Sequence, residues 1–212
     1  MKTRNAPARS RRAQPIAYAT ALAAALTASL APAHADEIVP PPVPSNIEVP
    51  AGNEVFLVGH AFGTQNYVCL PAGKRFQYTL FTPQATLFRD DVTQLTTHFF
   101  SPNPAEGVTI RAAWQHSRDT STVWGKVVPG DASSDPNFVE PGAIAWLKVT
   151  AVGAEEGPEG GDTLTKTTFI QRLNTTGGLA PSTGCRSPND VGRQAFVPYT
   201  ADYFFYRAQA LE

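Results

Sequence analysis

Thr109-Ile110-Arg111-Ala112-Ala113-Trp114-Gln115-His116, then Ser117-Arg118-Asp119-Thr120, then Ser121-Thr122-Val123-Trp124-Gly125-Lys126-Val127-Val128, is the stretch that decides the fold. Ile110, Ala112, Trp114 and His116 fall on one face of an extended chain, with Thr109, Arg111 and Gln115 opposite. That two-residue period is the mark of a strand. Arg118-Asp119-Thr120 carries turn chemistry and leads into a second apolar run, so the stretch reads as a β-hairpin.

The same pattern extends outward in both directions. Val55, Leu57, Gly59 and Ala61 alternate with Phe56, Val58, His60 and Phe62, and Phe76, Tyr78 and Leu80 alternate with polar neighbours. Residues 85–88, 95–100, 143–152, 163–174 and 199–206 read as further strands, and in the last Tyr199, Ala201, Tyr203 and Phe205 face one way. Residues 153–162, rich in Gly and Glu, read as a solvated loop. No segment after residue 35 sustains a helical apolar period, while 19 prolines and 16 glycines punctuate the apolar runs. The pattern predicts an all-β fold: a single antiparallel β-sandwich or barrel-like domain of about eight to ten strands.

The N-terminus has a different character. Lys2, Arg4, Arg9, Arg11 and Arg12 form a basic head without acidic residues, an Ala/Leu/Thr run follows over residues 16–30, and Ala33-His34-Ala35 offers a small-x-small cleavage site. These features predict an export signal over residues 1–35, a mature chain beginning at Asp36, and a secreted or periplasmic protein. Ser10-Arg11-Arg12 resembles a twin-arginine signal, but Gln14 and Pro15 stand where such signals carry bulky apolar residues, so both that route and the general secretory route stay open. Five prolines within residues 36–52 predict an extended, polyproline-like lead-in rather than packed structure, with the β domain occupying residues 53–212.

Removing residues 1–35 leaves 12 basic against 18 acidic residues, a net charge of −6. That balance, without a basic run, argues against nucleic acid as a partner. No later apolar stretch approaches the length of a membrane span. Cys69 and Cys185 are the two cysteines, and an isolated pair in an oxidising compartment reads most simply as a disulfide. The rival, thiolates on a metal, lacks further ligands at motif spacing, and neither a metal nor a cofactor is expected.

Chemistry-bearing residues are few. His60, His98 and His116 are too far apart in sequence for a local metal motif. His98 is the best single acid–base candidate, and Asp119 with Ser121 on the hairpin tip could complete a nucleophilic set. No Gly-x-Ser-x-Gly surrounds any serine, and an Asp and a Ser in a turn ordinarily bond the backbone. Gln171 and Arg172 precede a Gly-rich loop and could bind a carboxylate or sugar hydroxyls; the competing reading pairs Arg172 with Asp202. Glu155, Glu156, Glu159 and Asp162 fit no calcium-loop spacing and read as a solvated charge run.

Five strings are similar to those of an uncharacterised family of secreted bacterial and fungal proteins, a domain of unknown function. They are Gly63-Thr64-Gln65-Asn66-Tyr67-Val68-Cys69, Thr97-His98-Phe99, Ile144-Ala145-Trp146-Leu147, the run from Ile170-Gln171-Arg172 to Leu179-Ala180-Pro181, and Val197-Pro198-Tyr199-Thr200-Ala201-Asp202-Tyr203-Phe204-Phe205-Tyr206. One departure is Asp119-Thr120-Ser121, where the family usually has Asp-Gly-Ser; a threonine weakens any requirement for a positive-φ glycine. The resemblance implies a secreted β domain and brings no activity. Some members carry a malate dehydrogenase label, which this sequence does not support, lacking a glycine-rich dinucleotide turn and βαβ alternation. The preferred expectation is non-catalytic binding of a ligand or surface component through loops; the alternative is a secreted hydrolase using His98 with Asp119, Ser121 or Arg172.

Overall fold

The structure, a computed structural model, describes residues 38–210. The expected export signal and the cleavage site after Ala35 lie outside the described residues. Eight strands follow one another: β1 Asn53–Ala72, β2 Arg75–Phe88, β3 Gln94–Asn103, β4 Thr109–His116, β5 Thr122–Ser133, β6 Trp146–Glu155, β7 Thr167–Gly177 and β8 Gln194–Ala208. Each pairs antiparallel with the next, and β8 returns to β1. Of the two expected architectures, the closed barrel is the one formed. Closure removes the unpaired edges that an open sheet would present.

Alternation sorts the side chains. Tyr199, Ala201, Tyr203 and Phe205 of β8 point inward, with Leu57, Leu87, Leu95, Val123 and Ile170 packing in the same interior cluster. Small residues of β1 stand opposite the large ones of β8: Gly59 pairs with Tyr203 and Gly63 with Tyr199. A barrel of about eight strands leaves an interior just wide enough for side chains or one small ligand, so small-against-large pairing decides where it is full.

Several details differ from the sequence expectation, among them the end of β6, which runs to Glu155 into the stretch read as loop. Residues 76–80 and 85–88 belong to one long strand, β2, which runs through Pro83. Proline is tolerated there because the β2–β3 ladder covers Phe88 to Ala85 only, leaving β2 bonded on one side. The Thr82 hydroxyl takes up the slack by accepting from the Phe100 N–H at 3.0 Å. β6 starts at Trp146 rather than residue 143, since Ala143 makes an isolated bridge to Gly178. β7 starts at Thr167, because Thr163 and Leu164 dock on the β4–β5 turn instead.

The Pro-rich lead-in has no strand, yet it packs. Ile47 is fully buried with Trp146, Leu173, Phe204 and Tyr206 in a second cluster on the outside of the barrel. Asn46 Nδ2 donates to the Gly130 and Ala132 carbonyls at 2.7 and 2.9 Å. Proline density disfavours ladder bonds but leaves side chains free to bury, and the sequence expectation weighed only the first effect. Cys69 and Cys185 form a disulfide with Cα atoms 5.5 Å apart, tying the far end of the β1–β2 hairpin to the loop before β8.

Candidate functional site

The barrel interior is not filled along its whole length. A cavity of about 440 Å³ opens among Gln65, Tyr67, His98, Trp114, Arg172 and Tyr203, with Phe100, Leu147 and Val149 as apolar wall. Leu80, Ile110 and Val127 also line it and are exposed, forming an apolar rim. None of the residues lining it is an Asp or Glu.

Strand register places the polar members. His98 on β3 pairs with Trp114 on β4, and the two rings stack with centroids 4.2 Å apart and planes 10° off parallel. The His98 Nδ1 lies 2.9 Å from the Ala113 carbonyl, which can only accept, so Nδ1 carries the proton and Nε2 is a bare acceptor. Desolvation lowers the His98 pKa to about 3, with the Arg172 charge adding to the effect and the Ala113 bond opposing it. The ring is therefore neutral near pH 7 and a weak base.

Arg172 on β7 pairs with Leu147 on β6 and Tyr203 on β8. Its Nη2 and Nε both donate to the Ala145 carbonyl, at 2.8 and 3.3 Å. Among the described residues no carboxylate pairs with it. Asp202, the partner weighed from sequence, bonds His60 at 2.6 Å and Asn174 at 2.8 Å instead. Burial raises the pKa values of Tyr67, Tyr199 and Tyr203, and the nearby Arg172 charge opposes the shift in each. Tyr67 donates to the Gly178 carbonyl at 2.6 Å, and the Tyr199 and Tyr203 hydroxyls share a hydrogen bond of 3.2 Å.

Gln171, proposed from sequence beside Arg172, lies on the other face of β7. Its Nε2 donates to the Ile47 carbonyl at 2.7 Å and its Oε1 accepts from the Tyr206 hydroxyl. Both ends of the amide hold the lead-in and outer cluster together, away from the cavity.

Asp119 and Ser121 are likewise not brought to His98. The cavity takes its β4 wall from Ile110 to Trp114, whereas Asp119 lies beyond the other end of that strand. Asp119 Oδ1 accepts from the Ser121 N–H at 3.0 Å and hydroxyl at 2.8 Å; Oδ2 accepts from the Thr163 N–H at 3.0 Å and hydroxyl at 2.5 Å. Burial pushes the Asp119 pKa up, but these bonds outweigh it and hold the carboxyl far below its usual range. Ser121 is fully buried, and its oxygen also accepts from the Leu164 N–H at 3.1 Å. His116 Nδ1 reaches Asp119 at 2.8 Å. Here the carboxylate stands between serine and histidine, whereas a nucleophilic triad needs the histidine between the other two. The Gly-rich loop closes over this knot: a Cβ on Gly157 would lie 1.8 Å from the Asp119 carbonyl oxygen, and one on Gly161 2.1 Å from the Asp119 Cβ. The acidic residues of that loop gather no metal ligands; among the described residues no group of three or more His, Cys, Asp or Glu is placed to hold a metal ion.

Sequence reasoning missed Gln65, Tyr67, Trp114 and Tyr203 as cavity residues. Their inward phase was legible for Trp114 and Tyr203, but a core and a cavity wall have the same periodicity.

What these features define is an eight-stranded closed antiparallel β-barrel with an interior cavity at one end. Residues 89–207, more than half of the chain, match the family described as protein of unknown function (DUF3455), and the chain belongs to that family. No curated protein and no solved structure gives a significant match. Among the described residues no helix is long and apolar enough to cross a membrane.

Proposed function

We propose that this is an exported, non-catalytic binding protein that holds one small organic molecule inside the open end of its barrel. The observation that carries the reading is the cavity itself. Its volume of about 440 Å³ falls in the range of roughly 300–1,000 Å³ typical of small-molecule sites, and its mostly apolar wall with a few convergent polar groups is the usual composition of one. The sequence expectation put binding on loops; the barrel interior offers a better enclosed surface.

The hydrolase reading loses support from the same geometry. A general base works best with a pKa near the operating pH, and His98 lies well below that. Ser121, the named nucleophile, is buried with its bonds satisfied at a distance from the cavity residues. Export is supported by the N-terminal pattern and fits a chain whose two cysteines are bonded.

The test is a thermal-shift screen of the purified protein against a small-molecule library, since a ligand that binds only the folded state raises the melting temperature. Hits are expected for the parent and lost in Leu147→Trp, which fills the cavity from its wall. Hits unaffected by that substitution would place binding elsewhere on the surface.

A further inference from the structure

The cavity has donors in excess. Trp114 Nε1 and Gln65 Nε2 are buried and have no hydrogen-bond partner among the described residues. Trp114 is 1% exposed and Gln65 2%, and both line the cavity. Burying such groups unpaired costs free energy, so a buried donor without an acceptor marks a place where an acceptor belongs. The Tyr67 proton goes to Gly178 and Tyr199 and Tyr203 share one bond; their oxygens keep lone pairs, but none accepts from Trp114 Nε1 or Gln65 Nε2. His98 offers one acceptor, Nε2, and its own ring is fixed by Ala113.

Charge points the same way. Arg172 brings a permanent positive charge to a wall without a carboxylate. Arg111 is a different case, neutralised by Glu106 through two bonds of 2.7 and 2.8 Å. The Ala145 carbonyl occupies the Nε–Nη2 edge of Arg172, which leaves the Nη1 end of the guanidinium for a second acceptor. An uncompensated charge in a low-dielectric pocket is costly, and an anion with paired oxygens is the partner a guanidinium fork fits best. Lys126, the remaining cation on the lining, is exposed to solvent, so Arg172 is the cation set into the wall without a counter-charge, and it calls for one negative charge. Leu80, Phe100, Ile110, Val127 and Leu147 then leave an apolar surface for the rest of the molecule.

We propose that the ligand is an organic monocarboxylate: its carboxylate meets Arg172 with Trp114 Nε1 and Gln65 Nε2 nearby, and its alkyl or aromatic body lies along the apolar wall toward the rim. This rests on the reading of the cavity as a binding site and adds the chemical class of what enters it.

The experiment is calorimetric titration of the purified protein with octanoate, dodecanoate, phenylacetate and indole-3-acetate, each beside its neutral carboxamide, and with inorganic phosphate. At least one acid is expected to bind about tenfold or more tightly than its amide, the size of a lost charge-assisted bond to the half-buried Arg172 guanidinium. Arg172→Met should abolish that preference, Arg172→Lys should keep part of it, and Arg207→Met, a surface cation paired with Glu54, should change nothing. Circular dichroism and thermal melts of each variant establish that it is folded, and if Arg172→Met does not fold, the Arg172→Lys result and the acid-to-amide ratio decide. Acids and amides binding equally would overturn the carboxylate while leaving the cavity as a binding site. Phosphate binding as tightly as the acids would overturn the organic body. Binding by none of the probes would overturn this inference, and if the library screen also gave no hit it would remove the binding function with it.

Discussion

His98 and Trp114 lie face to face across the β3–β4 pair inside the barrel, ring centroids 4.2 Å apart, with the imidazole 4% exposed. Desolvation, with the Arg172 charge adding to it, keeps the ring neutral, and this has a measurable consequence in acid. An unfolded histidine takes its proton near pH 6.5, whereas the folded one does so only at about 3. Between those values the unfolded chain binds more protons, so stability falls as the pH is lowered. The slope from this one group is about 1.4 kcal/mol per pH unit. Urea unfolding at pH 7 and pH 4.5 should show a loss that shrinks by that amount per unit in His98→Phe. Equal losses in parent and variant would mean the ring is protonated in the fold.

His60 behaves in the opposite sense. Its Nδ1 lies 2.6 Å from Asp202 and its Nε2 2.9 Å from Asp90, and carboxylate oxygens only accept, so the ring carries both protons. Burial works against the charged ring, but the bonds to Asp202 and Asp90 outweigh it and raise the pKa. The stabilisation is complete below about pH 6.5, the unfolded value, and is lost as the pH rises through the folded one. An NMR titration of the imidazole signals should find His60 titrating above the ordinary histidine value of about 6.5. His60→Gln should flatten the decline of stability on the alkaline side and leave the acid limb unchanged.

Much of the fold was legible in the sequence, and the limits have physical causes. The β8 alternation of Tyr199, Ala201, Tyr203 and Phe205 reads directly as an inward face because strand side chains repeat every two residues. Closure was not legible, since it depends on β1–β8 register between residues 126 to 155 positions apart, from Val68–Gln194 to Asn53–Ala208. Period two also carried a warning about the site. Gln171 and Arg172 are adjacent in a strand, so they point to opposite faces and could not line one pocket together. Thr120 shows the reverse: the substitution of glycine by threonine argued against a left-handed turn, yet the backbone is held there by the Asp119 knot.

That residue yields the third prediction. Thr120 has φ +58°, a region that costs a β-branched residue roughly 1–2 kcal/mol. Glycine removes the strain and brings back roughly 0.5–1 kcal/mol of unfolded-state entropy, so Thr120→Gly should stabilise by about 0.5–1 kcal/mol. For a domain of this size the melting temperature should rise by about 2–4 °C per kcal/mol. A lower melting temperature would show that the Thr120 hydroxyl bond to the Asp119 carbonyl matters more than the strain.

The disulfide should act on the unfolded chain. Cys69 and Cys185 close a loop of 116 residues, for which the chain-entropy model gives about 4–5 kcal/mol. The double variant Cys69→Ser, Cys185→Ser should unfold at clearly lower urea concentration with a larger denaturant slope, because its unfolded state is less compact. Unchanged urea curves would mean that the bond adds nothing beyond the packing of the β1–β2 hairpin against the loop before β8.

The last strand closes the barrel, and that gives the strongest test. β8 pairs with β1 from Val68–Gln194 to Asn53–Ala208 and with β7 on its other side. Its inward residues pack in the interior cluster: Phe205 is fully buried, opposite Leu57 and Ile170 and edge-on to Trp114 at 6.3 Å. Its outward residues Phe204 and Tyr206 bury the lead-in through Ile47. Deleting residues 199–212 therefore opens the sheet along two edges and strips both apolar clusters at once, and it should abolish cooperative folding. Phe205→Ala leaves the ladder intact and removes one large side chain, which costs about 3–5 kcal/mol in a core that relaxes only in part. Should the deletion variant still melt cooperatively near the parent's temperature, closure by β8 would not be what holds the barrel together, and the cavity at its open end would lose the Tyr203 wall without loss of fold.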